Sequence, residues 1–417
     1  MGYGGGENFI THHPIHTMKT ISYEEYQKKV KDLKTMSDVT NFARELIAPT
    51  LQAMLEAEMS EHLGYEKHEV KGRGSGNSRN GHSTKRLKTS FGQDELKVPR
   101  DRGGSFEPVA VKKYESVESD VEEKIISMYA KGMTTRDIHA HMKDLYGIDV
   151  SAGMVSTITD KVIPLIHAWQ ARPLQSCYPI VYLDGIHFKM RESGRIRNVC
   201  GYSVLGITLE GKKELLGLWI GGSEGSKFWL KVLSELKDRG VEDILICCTD
   251  GLSGFKEAIE TTFPQTTIQR CIIHQVRYTS KYIPHKHKKA YCQGLKAIYT
   301  SPTEEAALQA LIHMQESWPQ YKIYLKSWED HWSELSAIFQ FPEEIRRLIY
   351  TTNAVESVHR QLRKITKTTS VFPHEEALTK LLWLCIRDIE KKWSKPLHNW
   401  GTILAQLAIL FPDRVTL

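Results

Sequence analysis

Tyr178-Pro-Ile-Val-Tyr-Leu-Asp184-Gly185 is the stretch that decides the fold. An unbroken apolar run of this length, rich in β-branched and aromatic residues, reads as a strand buried on both faces. It ends on a carboxylate, which no apolar core needs. A second run, Asp243-Ile-Leu-Ile-Cys-Cys-Thr-Asp250-Gly251, has the same form, and a third acid stands in Thr351-Thr-Asn-Ala-Val-Glu356-Ser357. Two acids expected at strand tips and one on a helix make a candidate site for a pair of divalent metals, Mg²⁺ with Mn²⁺ as a substitute. Paired metals on carboxylates are suited to phosphodiester cleavage and strand transfer. Taken singly, an Asp-Gly pair also reads as a turn former.

The surrounding pattern gives these acids a scaffold. Ile180 to Phe188, Val199 to Thr208 and Glu214 to Ile220 read as three strands with hairpin-like connections. They are followed by a helix over Ser226 to Lys237, a strand over Ile244 to Cys248, a helix over Gly254 to Thr262 and a strand over Thr267 to His274. Three sequential strands and then alternation predict an α/β domain of ribonuclease-H-like order, with a mixed sheet whose first and fourth strands are neighbours. Asp184 and Asp250 would then converge. After Val276 the strand pattern stops, and Ser280 to Arg347 reads as a helical insertion containing Trp318, Trp328 and Trp332. Asn353 is the expected N-cap of the helix carrying Glu356. On that helix Glu356, Arg360, Arg363 and Lys367 share one face, with Lys364 beside them, as phosphates passing a metal site would require. A last apolar helix is expected from Ala377 to Ile389.

Upstream, Ser22 to Lys34 and Ser37 to Leu63 have helical spacing, the second with Ser37 as N-cap and Pro49 expected to kink or divide it. Lys67 to His82 reads as a flexible basic loop. Lys85 to Phe91 and Asp94 to Val98 read as a short hairpin turning at Gly92-Gln93. From Glu118 to Ile166 three helices with tight turns have helix-turn-helix spacing, which plain packing modules share. The expected partition is a disordered extension over 1–20, a helical and basic hairpin DNA-binding region over 21–115 and a helix-turn-helix domain over 116–172. A catalytic domain over 173–279 follows, interrupted by the insertion over 280–347 and completed by 348–417.

The chain has 417 residues, too many for one ordinary core, with 41% hydrophobic and 25% charged residues. Its net charge is +6, and Glu66 to Lys113 alone holds twelve Lys or Arg against six Asp or Glu, a surplus equal to the whole net charge. No run approaches the roughly 20 apolar residues of a membrane span, and no secretory signal is visible. Seven cysteines, with Cys247 and Cys248 adjacent in an apolar run, read as reduced buried thiols of a cytoplasmic protein.

Several motifs resemble the mutator-type transposases of bacterial insertion sequences. In the N-terminal half these are Asn80-Gly-His-Ser-Thr-Lys-Arg-Leu-Lys-Thr89, Val98-Pro-Arg-Asp-Arg-Gly-Gly-Ser-Phe106 and Tyr129-Ala-Lys-Gly-Met-Thr-Thr-Arg-Asp-Ile138. In the other half they are Leu183-Asp-Gly185, Thr249-Asp-Gly-Leu-Ser-Gly-Phe255, Gln269-Arg-Cys-Ile-Ile-His-Gln275, Trp328-Glu-Asp-His-Trp332 and Tyr350-Thr-Thr-Asn-Ala-Val-Glu-Ser357. The family often has an aromatic residue where this chain has His82. The resemblance implies a catalytic triad of Asp184, Asp250 and Glu356, Mg²⁺ dependence, recognition of terminal inverted repeats in double-stranded DNA, and action at the bacterial nucleoid as a homodimer or higher oligomer. Candidate DNA contacts are Arg79, Lys85, Arg86, Lys88, Arg100, Arg102 and Arg136, with Arg360, Arg363, Lys364 and Lys367 nearer the triad. Cys271 and His274 resemble the family's Cys-x-x-His signature. They read either as a strand-end pair packed beside the active site or as zinc ligands completed by His285, His287 or Cys292. Trp328 and Trp332 read as core residues, with stacking on an unpaired base as the alternative. Competing functions are a DNA-binding repressor, a catalytically inactive relic, and a structure-selective nuclease.

Overall fold

The computed structural model describes residues 23–415, apart from 71–73, 75, 91, 113–116, 118, 223–224, 252–253 and 351–352. The extension expected over 1–20 lies outside the described residues. The N-terminal elements are α1 (Tyr23–Asp32), α2 (Met36–Leu63), β1 (Arg79–Thr89), β2 (Gly92–Asp101), α3 (Ser119–Ala130), α4 (Thr135–Tyr146), α5 (Ala152–Asp160) and α6 (Ile163–Ala171). Then come β3 (Cys177–Glu192), β4 (Arg195–Ile207), β5 (Lys213–Gly221), α7 (Ser226–Asp238), β6 (Asp243–Thr249), α8 (Phe255–Thr262), β7 (Thr267–Arg270) and α9 (Ile272–Ser280). The remainder is helical: α10 (His285–Tyr299), α11 (Glu304–Ser317), α12 (Lys322–Asp330), α13 (Trp332–Leu335), α14 (Glu343–Ile349), α15 (Asn353–Thr366), α16 (Glu375–Glu390) and α17 (Trp400–Leu410). Two compact units emerge, Met1–Ser127 with Thr135–Ile158, and Met128–Thr134 with Thr159–Leu417.

In the second unit five strands form one mixed sheet in the order β5-β4-β3-β6-β7. β3 pairs antiparallel with β4 and parallel with β6, so it is central and buried on both faces, as its apolar run predicts. The alternation of side chains sorts that run. Val181 and Leu183 join a core with Tyr202, Trp229, Val232 and Phe255, on the side covered by α7 and α8. Ile180, Tyr182 and Asp184 point the other way, where the Tyr182 hydroxyl donates to the Leu348 carbonyl. The insertion has its own core, built on Tyr291, Leu295, Leu311, Met314, Leu325 and Trp328. α6 packs on β5 and α16, covering the edge strand.

In the first unit the hairpin β1–β2 lays Leu87, Leu96 and Val98 on Leu55 and Leu51 of α2. The buried Asp101 carboxylate closes the turn after it. It accepts from Asn77 Nδ2 (2.7 Å), Ser105 N (3.0 Å), Ser105 Oγ (2.8 Å) and Phe106 N (3.2 Å). α3, α4 and α5 bury Val121, Ile125, Ile138, Met142 and Val155, and Gly147 (φ 63°) ends α4 in the left-handed conformation.

Several local expectations are corrected. The cap of α2 is Thr35, in a capping box with Asp38, because Thr35 and not Ser37 lies three residues before an acid. Pro49 removes one intrahelical donor without dividing α2, whose flanking turns are held by Ala48, Leu51 and Leu55 on the hairpin. The hairpin starts at Arg79 inside the expected loop, and Thr89 pairs with Gly92, so Gly92-Gln93 belongs to β2 and not to the turn. The third expected helix breaks into α5 and α6, Pro164 sitting in the first turn of α6, where its missing N–H costs nothing. Thr267 to His274 is a strand only to Arg270, and Cys271 caps α9. Asn353 is the first residue of α15 instead of preceding it.

The hydrogen bond from Asn77, with those from Ser105 and Phe106, holds the Asp101 carboxyl well below the usual carboxylate range. A depressed folded value means stability that is present above the unfolded value of about 3.9 and lost as pH falls from there towards the folded one. The first unit should therefore lose stability progressively below about pH 4 in urea denaturation followed by circular dichroism, and Asp101→Asn should flatten that dependence while lowering stability at pH 7. An acid limb of unchanged slope in the variant would assign the pH dependence to other carboxylates.

Candidate active site

Leu183 and Thr249 are the last paired residues of the parallel β3–β6 ladder. Asp184 is the next residue of β3 and Asp250 the first residue past the end of β6, so the register brings the two acids to neighbouring positions. The ladder, not the strand, ends there. β3 continues to Glu192 against β4, which places Asp184 in mid-strand, opposite Ser203, and not at the expected strand tip. The reason is the length of the β3–β4 hairpin, whose exposed outer half the apolar run does not include.

Each aspartate is followed by a glycine for a reason of packing. At Gly185 a Cβ would fall 2.6 Å from Cys200 Sγ and 3.2 Å from the Tyr202 ring. At Gly251 the backbone is left-handed (φ 86°), and a Cβ would fall 2.3 Å from the Arg270 guanidinium carbon. Arg270 donates to the Gly251 carbonyl (3.3 Å) and pairs with Glu334 (3.4 Å), pinning the loop that bears Asp250. The turn-former reading therefore does not describe Asp184, which is buried within a sheet.

Buried carboxylates require compensation. Asp184 Oδ1 accepts from Gly185 N (2.8 Å), and Asp184 Oδ2 lies 3.3 Å from Nδ1 of the buried His359. The other ring nitrogen of His359 lies 3.1 Å from Ser203 Oγ, so a ring protonated on Nδ1 serves both partners. The N–H of Cys271 donates to the Thr249 carbonyl (2.7 Å), which fastens the start of α9 to the end of β6. One turn on, the half-buried His274 is raised to about 9 by the adjacent Cys271 side chain and by Asp184 and Asp250, against the opposing effect of burial.

Glu356 comes from α15, which packs on β3 and β4. Its carboxylate receives two hydrogen bonds from Arg277, one of 3.3 Å to Oε2, and lies 3.9 Å from His274 Nε2. The pair with Glu356 raises the Arg277 guanidinium above its ordinary value. His274 thus borders on all three acids, and Arg277 on Glu356 and Asp184. Among the described residues no three His, Cys, Asp or Glu side chains already stand where they could hold a metal ion. His287 is hydrogen-bonded to the Tyr321 hydroxyl (2.8 Å) instead of approaching Cys271 and His274 as a zinc ligand would.

Arg360, Arg363, Lys364 and Lys367 are exposed, opposite a buried stripe of Val355, Val358 and Leu362, and Lys367 lies just beyond the end of α15. In the first unit Arg86, Arg100, Arg102 and Arg136 are exposed. Three other candidates are engaged internally. Arg79 donates to Ser60 Oγ (2.7 Å) and the Tyr65 carbonyl (3.3 Å), Lys85 to the Lys112 carbonyl, and Lys88 to the Asp149 carbonyl (2.5 Å). Burial holds the Lys88 amine below its usual value. Trp328 is enclosed in the insertion core and donates to Thr279 Oγ1 (2.9 Å), so it has no ring face open to a base. Trp332 packs on the same core and donates to Glu304 (3.0 Å).

Sequence reasoning missed His359 and Arg277. Glu356 and His359 are three apart on one helix, a spacing that places both on the face towards the sheet. Arg277 bears the same relation to His274, a helical spacing that a strand expected through His274 conceals.

A family model described as "Transposase, Mutator family" matches residues 18–396. The chain is 42% identical over 365 residues to the transposase for insertion sequence element ISRM3 of Rhizobium meliloti, covering 87% of this chain and 90% of that protein. It is 32% identical over 381 residues to the transposase for insertion sequence element IS905 of Lactococcus lactis, covering 91% and 97%. To the transposase for IS256 in transposon Tn4001 of Staphylococcus aureus it is 27% identical over 381 residues, covering 90% and 95%. The matched span includes Asp184, Asp250 and Glu356, and the chain belongs to the Mutator family of transposases.

Proposed function

We propose that this transposase binds the terminal inverted repeats of an insertion sequence and cuts and joins DNA strands through Asp184, Asp250 and Glu356. The observation that carries the reading is the β3–β6 register, which sets two acids side by side where α15 brings a third. The strand order β5-β4-β3-β6-β7, three antiparallel strands followed by two in parallel, supports a ribonuclease-H-like domain. The helices α3 to α5 and the exposed Arg86, Arg100, Arg102 and Arg136 support end recognition through a helix-turn-helix and a basic hairpin. Two element ends must meet, so the active species is at least a dimer.

The donor set fits a hard cation, being three carboxylates with no thiolate among them. When bound, Mg²⁺ or Mn²⁺ supplies activation of the attacking water or 3′-hydroxyl and stabilisation of the leaving oxygen. The protein does the rest. His359 and Gly185 fix the Asp184 carboxylate, and the Arg270–Gly251 contact fixes the approach to Asp250. Arg277 and His274 balance the acids, so a cation at Glu356 competes with Arg277. Arg360, Arg363 and Lys364, exposed along α15, offer phosphate contacts leading away from the acids.

Asp184→Asn, Asp250→Asn and Glu356→Gln should each lower nicking and joining by about a thousandfold or more, with binding retained, because each removes one charged ligand. The assay uses purified protein, Mg²⁺ and duplexes cut from the DNA flanking the coding region. Joined products identify a transposase, hydrolysis alone a nuclease, and a shift without cleavage a repressor or relic. Retained joining in any variant takes that residue out of the triad.

In calorimetric titration with Mn²⁺ and no DNA, Arg277→Ala should bind the metal several-fold more tightly than the native chain, since a competitor for Glu356 is gone. Weaker binding would make Arg277 a support for Glu356. Arg100→Ala with Arg102→Ala should weaken duplex binding and reduce the slope of log affinity against log salt by about one to two. An unchanged slope would assign both arginines to folding.

A further inference from the structure

Between Glu260 and Glu304 the chain has no Asp or Glu, yet it carries Arg277, Lys281, Lys286, Lys288 and Lys289, all exposed. The near-neutral charge outside the hairpin region therefore hides a strongly polarised segment. On the same segment two aromatic rings face solvent, Tyr278 at 59% and Tyr282 at 51% exposure. Tyr282 is braced from behind, its ring stacked on Tyr324 at 5.3 Å and 15°, and Tyr324 in turn packs on the insertion core. The Lys281 ammonium lies 5.5 Å from the Tyr282 ring centre. Neither tyrosine belongs to the carboxylate site.

Their position relates them to it. Tyr278 follows Arg277, which holds Glu356, and lies one helical turn beyond His274, which lies beside all three acids. The turn after α9 continues the line to Tyr282. Exposed rings can stack only on bases with a free face, which a base pair inside a duplex lacks and an unpaired nucleotide has. The surrounding charge selects a polyanion over an apolar protein partner.

Resting on the reading of the carboxylates as a DNA-cutting site, we infer that the exposed face of α9 and the turn after it bind an unpaired DNA strand beside the scissile position. Tyr278 and Tyr282 stack on its bases, and Lys281 with Lys286, from the start of α10, holds its phosphates. This stacking platform replaces the one that Trp328, buried in the core, is unable to provide.

The test compares the native chain with a Tyr278→Ala/Tyr282→Ala pair and a Tyr278→Phe/Tyr282→Phe pair, in fluorescence anisotropy without divalent metal. The probes are a labelled duplex of about 30 base pairs and the same duplex with a 3′ tail of about 10 unpaired nucleotides, within the range of known single-strand sites. Thermal melting first establishes that all three proteins fold alike, as substitution of exposed rings should allow. The tail should tighten binding by the native chain, and the alanine pair should lose about tenfold or more of that gain. The phenylalanine pair should keep it, and plain-duplex affinity should be equal in all three. A gain retained by the alanine pair, or lost equally by the phenylalanine pair, overturns stacking while leaving the proposed function standing. Binding of neither probe by the native chain removes DNA from this face and takes the proposed function with it.

Discussion

One register holds the rest of the structure together. Leu183 opposite Thr249 makes Asp184 and Asp250 neighbours, and nothing local to either residue could do so. Neighbouring acids, one of them deeply buried, lose hydration and disfavour each other's charge, so the fold must supply positive charge or hydrogen-bond donors around them. His359, His274 and Arg277 do this from two helices that start far apart in the chain. The same economy explains Gly185 and Gly251. The Cys200 and Tyr202 side chains leave no room for a methyl group at Gly185, and the left-handed backbone at Gly251, close against Arg270, disfavours one there.

α15 shows how one helix serves several demands at once. Its buried stripe of Val355, Val358 and Leu362 fixes it on the unit's core, which sets its rotation. That rotation turns Glu356 and His359 towards the acids of the sheet and leaves Arg360, Arg363 and Lys364 in water. Glu356 is at the same time hydrogen-bonded to an arginine from another helix. Its charge is thereby balanced within the protein.

The first unit applies the same rule of inward and outward charge on a smaller scale. Asp101 turns in and gathers Asn77, Ser105 and Phe106, while Arg100 and Arg102 on either side of it remain exposed. The three cations that fold back, Arg79, Lys85 and Lys88, show why a count of basic residues overstates a binding surface. A lysine or arginine in a hairpin is also a long donor that can reach the carbonyl of a neighbouring segment.

Much was legible from residue patterns. The apolar run before Asp184 determines a strand buried on both faces, the order of strands and helices determines which strands are neighbours, and the spacing from Glu356 to Lys364 determines an exposed basic face. These are local periodicities, and period 2 and period 3.6 survive in any context that buries one side of an element. Element ends were less legible. β3 runs past Asp184, and β7 stops at Arg270, because those limits depend on hairpin pairing and on the Cys271–Thr249 hydrogen bond between segments. Only the tertiary structure decided that His359 touches Asp184, that Arg277 holds Glu356, and that Trp328 lies inside while Tyr278 lies outside. Such facts depend on the packing of distant segments, which the spacing of residues within one element does not encode.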